Sequence, residues 1–120
     1  MTANPFVILY VEDNDLVRES LAEWLATADR RIVCVADGAG AREALREQAV
    51  DLLLTDIHLP DGSGLDVARE ALRQNPTLPV IVCSGYDSTD VARSLGPTAH
   101  PLRKPVEIDE LEALVDRLAR

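Results

Sequence analysis

The feature that most constrains the fold is the run Leu52-Leu53-Leu54-Thr55, which ends abruptly in Asp56 and passes into the loop Ile57-His58-Leu59-Pro60-Asp61-Gly62-Ser63-Gly64. The apolar run is too short for a helix and reads as a strand buried on both faces. Asp56 then stands at the strand's C-terminal end, where open α/β sheets place ligands and chemistry. Two explanations of Asp56 compete at this point. It is a nucleophile that takes a phosphoryl group, or it caps a turn, a common task for Asp ahead of a Pro/Gly loop. The stretch alone does not decide, so its partners must be sought along the chain.

Phe6–Val11 is β-rich and reads as the first strand, stopped by the acidic cluster Glu12-Asp13-Asn14-Asp15. Asn14 or Asp15 can cap the helix that follows. That helix carries Leu16, Val17, Leu21, Trp24, Leu25 and Ala28 at helical spacing, which assigns Trp24 to core or half-buried packing. Arg31–Ala36 is the second strand, Asp37-Gly38 a turn, and Ala41, Ala44, Leu45 and Ala49 mark a second helix. Val50–Thr55 is the third strand and delivers Asp56. Leu65, Val67, Ala68, Ala71 and Leu72 mark a third helix, ended by Asn75-Pro76. Pro79–Cys83 is the fourth strand, ending at Ser84-Gly85. A short, weak helix spans Asp87 to Leu95 and is halted by Gly96-Pro97. Thr98–Arg103 supplies a fifth strand, short and edge-like because of Pro101. After Lys104-Pro105, Leu111, Leu114, Val115 and Leu118 mark the last helix, with Asp109 and Glu110 near its start, where acids suit the helix dipole.

Five alternations of strand and helix give one α/β domain over residues 1–120: a doubly wound (βα)5 fold with a five-stranded parallel sheet. The order 2-1-3-4-5 sets strands one and three side by side at the switch point, bringing Glu12, Asp13 and Asp56 together. The formal net charge is −9, which argues against a nucleic-acid surface and allows a carboxylate site that a divalent cation relieves. Cys34 and Cys83 each lie in a β-type run and read as buried free thiols, in keeping with a reducing cytoplasm. No apolar span is long enough for a membrane helix, and no signal peptide is evident.

Each strand end now contributes a chemically useful group. Strand one ends in Glu12-Asp13, strand three in Asp56, strand four in Ser84 and strand five in Lys104. Each alone has a dull explanation as a cap, a turn or a solvated charge. Crowded carboxylates, however, hold a metal or a raised-pKa acid, and an all-oxygen set favours Mg²⁺ or Mn²⁺. The set suits phosphoryl transfer, in which a carboxylate attacks and the rest of the site neutralises charge on the equatorial oxygens. Asp13 and Asp56 would hold the metal, with Glu12 reaching it through water. Lys104 and the Ser84 hydroxyl would take phosphoryl oxygens.

These residues carry a resemblance. Val11-Glu12-Asp13, the Asp56-x-x-x-Pro60-x-x-x-Gly64 loop, Ser84-Gly85 and Lys104-Pro105 resemble the response-regulator receiver domain (CheY-like) of two-component signalling, and the likeness covers essentially the whole chain. The resemblance implies the flavodoxin-like fold and a phosphohistidine donor, either a sensor histidine kinase or a histidine phosphotransfer protein. It implies Asp56 as the phosphorylation site and the backbone carbonyl of His58 as a further Mg²⁺ ligand. It also implies a frequently cis Lys104–Pro105 bond, and a Ser84 that moves on phosphorylation and alters a surface of helix four, strand five and helix five. That surface meets a downstream protein target and is also the family's usual homodimer face. Such a domain catalyses only its own phosphorylation and dephosphorylation. His58 and Tyr86 lie by analogy near the path of the hydrolytic water. No output domain follows the last helix, so the chain reads as a stand-alone regulator or as a receiver excised from a hybrid kinase.

One position departs from the family pattern. Receivers carry Tyr or Phe three residues before the Lys, and here that position is Pro101, which has no ring to swing. Output by order–disorder in residues 86–103 is the expectation this raises. A pseudo-receiver that binds partners without phosphorylation is the second reading; it normally lacks the nucleophile or the Lys, and both are present. A flavin-binding relative would need a phosphate loop where Glu12-Asp13-Asn14-Asp15 stands. A dehalogenase-type phosphatase would want an acid where His58 stands.

Overall fold

The structure is a computed structural model that describes residues 5–27 and 29–119. Five parallel strands form the sheet: β1 (Phe6–Val11), β2 (Arg30–Val35), β3 (Leu52–Asp56), β6 (Val80–Ser84) and β7 (Ala99–Arg103). A separate two-stranded hairpin follows β3, made of β4 (His58–Leu59) and β5 (Gly62–Ser63). The sheet order is β2-β1-β3-β6-β7, which is the 2-1-3-4-5 order of the main strands. The helices are α1 (Asp15–Leu25), α2 (Gly38–Glu47), α3 (Gly64–Gln74), α4 (Thr89–Leu95) and α5 (Ile108–Leu118). The strands and helices read from periodicity are all present, with ends shifted by a few residues.

Strand alternation divides the apolar residues between two layers. Leu9, Val11, Leu53, Val80 and Val82 face the cluster that includes Ala41, Val67, Ala68 and Ala92 of α2, α3 and α4. Ile8, Tyr10, Leu52, Leu54, Ile81 and Cys83 face the other cluster, with Leu25 of α1 and Leu111, Leu114 and Val115 of α5. Every residue of β3 and β6 is buried, as strands covered on both faces require. The same parity continues past the strand ends. Glu12 follows Ile8 and Tyr10, and Asp56 follows Leu52 and Leu54, so both acids leave the sheet on the α1/α5 side.

Local sequence sets the helix starts. The Asn14 side chain accepts from the Val17 N–H at 3.0 Å, Asp37 from the Gly40 N–H at 2.8 Å, and Ser63 from the Leu65 N–H at 3.1 Å. The helix over 89–95 has only two turns and no side-chain cap, in line with its weak pattern. Pro101 sits in β7, at the sheet edge, where a strand tolerates a missing donor.

Two sequence expectations are corrected. In α1 only Leu25 is buried, while Trp24 is 64% exposed and Leu16 and Val17 also face solvent. A helix on a sheet buries a stripe, and Leu25 holds the inward position. Trp24 lies about 100° and Leu16 about 180° from Leu25 around the helix, which removes both from that stripe. Ala28, assigned to the same face, lies outside the described residues. The second correction concerns Cys34, which is exposed because β2 is an edge strand with no fully buried residue. Cys83 is buried as expected.

Candidate functional site

The C-terminal ends of β1, β3, β6 and β7 converge on one mouth. The β1–β3 register pairs Val11 with Thr55, which puts Glu12 next to Asp56. The β3–β6 register pairs Asp56 with Cys83, and β6–β7 pairs Ser84 with Arg103. Lys104 enters directly after that pair, its N–H donating to the Ser84 carbonyl at 2.7 Å, and the Lys104–Pro105 peptide is cis.

Carboxylate oxygens of Glu12, Asp13 and Asp56 all lie within 4.8 Å of one another. Glu12 and Asp56 are buried, and Asp13 is exposed at the rim. Glu12 is held by the Asn14 N–H, which donates to Oε2 at 3.0 Å, and by Arg18, whose guanidinium donates to the Glu12 carbonyl at 2.8 Å. The Lys104 ammonium lies 2.7 Å from Asp56 Oδ1 and 3.4 Å from Glu12 Oε1. Lys104 thus pairs with two of the three clustered carboxylates, a deficit of positive charge around the buried Glu12 and Asp56.

The acid–base behaviour follows from that deficit. Burial pushes the Asp56 carboxyl up to about 7, Glu12 adds to the rise, and Lys104 opposes it. Burial also works to raise Glu12, but hydrogen bonds from Asp56 and the Asn14 amide, together with Lys104, hold it below its ordinary value. Lys104 loses solvation as well, yet its bond to Asp56 and the charge of Glu12 keep it above the usual value and fully cationic. Burial pushes the neighbouring Cys83 thiol up to about 12, which leaves it inert as a nucleophile.

The loop after Asp56 is held against the strand end. The Gly64 N–H donates to the Ile57 carbonyl at 2.7 Å, and the Thr55 hydroxyl donates to the Asp56 carbonyl at 2.9 Å. A Cβ on Gly64 would overlap the Asp56 carbonyl oxygen and sit 2.8 Å from Thr55 Oγ1, so the loop closes only over glycine. Ser84 is buried, and its hydroxyl accepts from the Tyr86 N–H at 3.2 Å. The His58 side chain is exposed, with its ring centroid 6.2 Å from that of the half-exposed Tyr86. An apolar cavity of about 390 Å³ opens beside Asp56 between α1 and the Pro105-Val106 segment.

Glu12, Asp13, Asp56 and Lys104 are therefore brought into one cluster, and Ser84 and His58 flank it. Pro101 stands on β7, paired with Val82 of β6. The cluster fits a divalent cation: its donors are all oxygens and its own cation leaves most of the negative charge uncompensated. Sequence reasoning did not single out Arg18, which holds the Glu12 carbonyl, or Asp61, which reaches across to α2. Arg18 reads as an ordinary outward helix charge, and Asp61 as a turn residue between Pro60 and Gly62.

Comparison with known proteins settles the family. The profile of the response regulator receiver domain matches residues 8–116. The chain belongs to the response regulator receiver family. Among relatives, TorR, the TorCAD operon transcriptional regulatory protein of Escherichia coli K12, is 36% identical over 95% of this chain and 50% of its own length. This receiver spans about half the length of that regulator, and less of others such as PilR of Pseudomonas aeruginosa, which is 37% identical over 89% of the chain and 24% of its own length. A response regulator receiver protein from Sinorhizobium medicae superposes with a TM-score of 0.86 at 28% identity, covering 95% of this chain and 94% of that one. Among the described residues, no helix of the receiver is long and apolar enough to cross a membrane.

Proposed function

We propose that this receiver is a phosphoacceptor that takes a phosphoryl group onto Asp56 from the phosphohistidine of a sensor histidine kinase or histidine phosphotransfer protein. The observation that carries the reading is the Lys104–Asp56 contact of 2.7 Å inside the Glu12–Asp13–Asp56 cluster. A carboxylate oxygen of Asp56 attacks phosphorus as the P–N bond of the donor breaks, and the imidazole leaves. Asp13, Asp56 and the His58 carbonyl, with Glu12 through water, would hold Mg²⁺ (or Mn²⁺), which would supply neutralising charge for the phosphoryl oxygens. Lys104 gives up part of its contact with Asp56 to take one phosphoryl oxygen, and the Ser84 hydroxyl takes another.

Ser84 also connects loading to output. Its hydroxyl now accepts from the Tyr86 N–H. Turning toward a phosphoryl oxygen would draw on that bond and so on the segment leading into α4. The surface of α4, β7 and α5 then changes for a downstream protein target or a second copy of the chain. Beyond its own phosphorylation and dephosphorylation the domain transforms no substrate. Its acidity does not suit nucleic acid, and the reading places it in the cytoplasm, as a stand-alone regulator or a piece of a longer protein.

The second reading, a pseudo-receiver that binds partners without phosphorylation, is favoured only by Pro101 in place of the usual aromatic. Phosphotransfer profiling separates the two. Labelled phosphoryl groups on isolated histidine kinases are offered to the chain and to Asp56→Ala. Label arriving on the unsubstituted chain alone supports phosphoacceptance, and label arriving on neither from any donor supports the pseudo-receiver.

A further inference from the structure

The hairpin that follows Asp56 is anchored at two places. Its base is fixed by the Gly64 N–H on the Ile57 carbonyl, 2.7 Å, and by the absence of room for a Cβ at Gly64. Its tip is the Pro60-Asp61 turn. There the Asp61 carboxylate leaves its own hairpin and accepts from the backbone N–H groups of Gly38 at 2.8 Å and Ala39 at 3.0 Å. Gly38 and Ala39 open α2, and their N–H groups are among those a helix start leaves without intrahelical partners. These two amides, with a smaller contribution from Arg42, hold the Asp61 carboxyl below its ordinary value, so it is anionic at neutral pH.

His58 lies between the two anchors. It pairs with Ser63, and Leu59 pairs with Gly62, so β4 and β5 are two residues each. A ladder that short is marginal by itself, and the position of its backbone depends on what holds its ends. Asp61 is exposed and is not a member of the carboxylate cluster, so it is not itself a ligand there.

We propose that Asp61 is a positioning residue for the divalent-cation site: by fastening the hairpin tip to the start of α2, it holds the His58 carbonyl in place beside Glu12, Asp13 and Asp56. This rests on the reading that those groups bind Mg²⁺. Partners that orient a metal's ligands cost about 10- to 100-fold in affinity when removed. The lower end applies here, because the hairpin base remains fixed.

The test uses Mg²⁺ alone as the probe, titrated at physiological ionic strength into the ¹⁵N-labelled chain and followed by amide shifts of residues 12–14 and 56–64. Asp61→Ala weakens Mg²⁺ binding about tenfold. Asp61→Asn removes the same charge but keeps an oxygen acceptor, and its affinity falls between the two. Each protein is titrated below the onset of its own thermal transition, so that a loss of fold is not read as a loss of affinity. A lowered Tm with unchanged Mg²⁺ affinity overturns the proposal and leaves Asp61 a purely structural cap. Equal loss in Asp61→Ala and Asp61→Asn overturns it in favour of a charge effect. Failure of the unsubstituted chain to bind Mg²⁺ overturns the metal reading and this proposal together.

Discussion

The Lys104 ammonium lies 2.7 Å from Asp56 Oδ1 and 3.4 Å from Glu12 Oε1, paired with two of three converging carboxylates. That position makes opposite demands on loading and on metal binding. Lys104→Met removes a partner for the transferring phosphoryl group and lowers the rate of loading from acetyl phosphate by about 10²-fold. The same change removes a positive charge that repels a divalent cation, so Mg²⁺ binds more tightly. Stopped loading rates and Mg²⁺ titrations on one preparation check both signs; a variant that loses both activities together has lost its fold instead.

Gly64 carries the closure of the loop. Any side chain there meets the Asp56 carbonyl and Thr55 Oγ1, both of them packed and unable to give way. Gly64→Ala destabilises the domain by about 3 kcal/mol, the upper end for overpacking, because backbone rather than a flexible side chain must shift. Denaturant midpoints measure this, and a variant within about 0.5 kcal/mol of the parent contradicts it.

Much of this site is visible in the amino-acid sequence because each part obeys a local rule. Apolar runs end in acids, a Pro/Gly loop follows Asp56, and Lys104 precedes a proline. Parity along β1 and β3 then puts Glu12 and Asp56 on one side of the sheet. What stays hidden depends on tertiary neighbours. Trp24 has core composition but stands about 100° away from Leu25 on α1 and meets solvent. Cys34 sits in an apolar run whose strand proves to be an edge. Asp61 looks like a turn residue, and only the packing of the hairpin against α2 reveals its two backbone partners, 22 and 23 positions earlier in the chain.

The raised Asp56 carboxyl gives the metal-free protein a pH dependence. Its pKa of about 7 lies above the ~3.9 of an unfolded Asp. Between those values the folded state binds more protons than the unfolded state, so this group's contribution to stability falls as pH rises across that window. Asp56→Asn removes the contribution. The stability of the parent relative to Asp56→Asn therefore declines from about pH 4 to about pH 7 without metal. Mg²⁺ competes with the same proton, so its affinity rises over that range. A relative stability that climbs with pH contradicts the assignment.

Output through the Ser84–Tyr86 connection makes a prediction for the segment containing the two-turn α4 and the Pro101 edge strand. Beryllofluoride, a stand-in for the phosphoryl group, changes amide exchange over residues 86–103. Equal protection of 86–103 in both states counts against this route.

The central claim is that Asp56 accepts phosphate, and intact-mass spectrometry after incubation with acetyl phosphate and Mg²⁺ tests it most directly. The unsubstituted chain gains one phosphoryl group, a gain lost when Mg²⁺ is chelated beforehand and absent in Asp56→Ala. No gain on the unsubstituted chain, or an equal gain on Asp56→Ala, would contradict it.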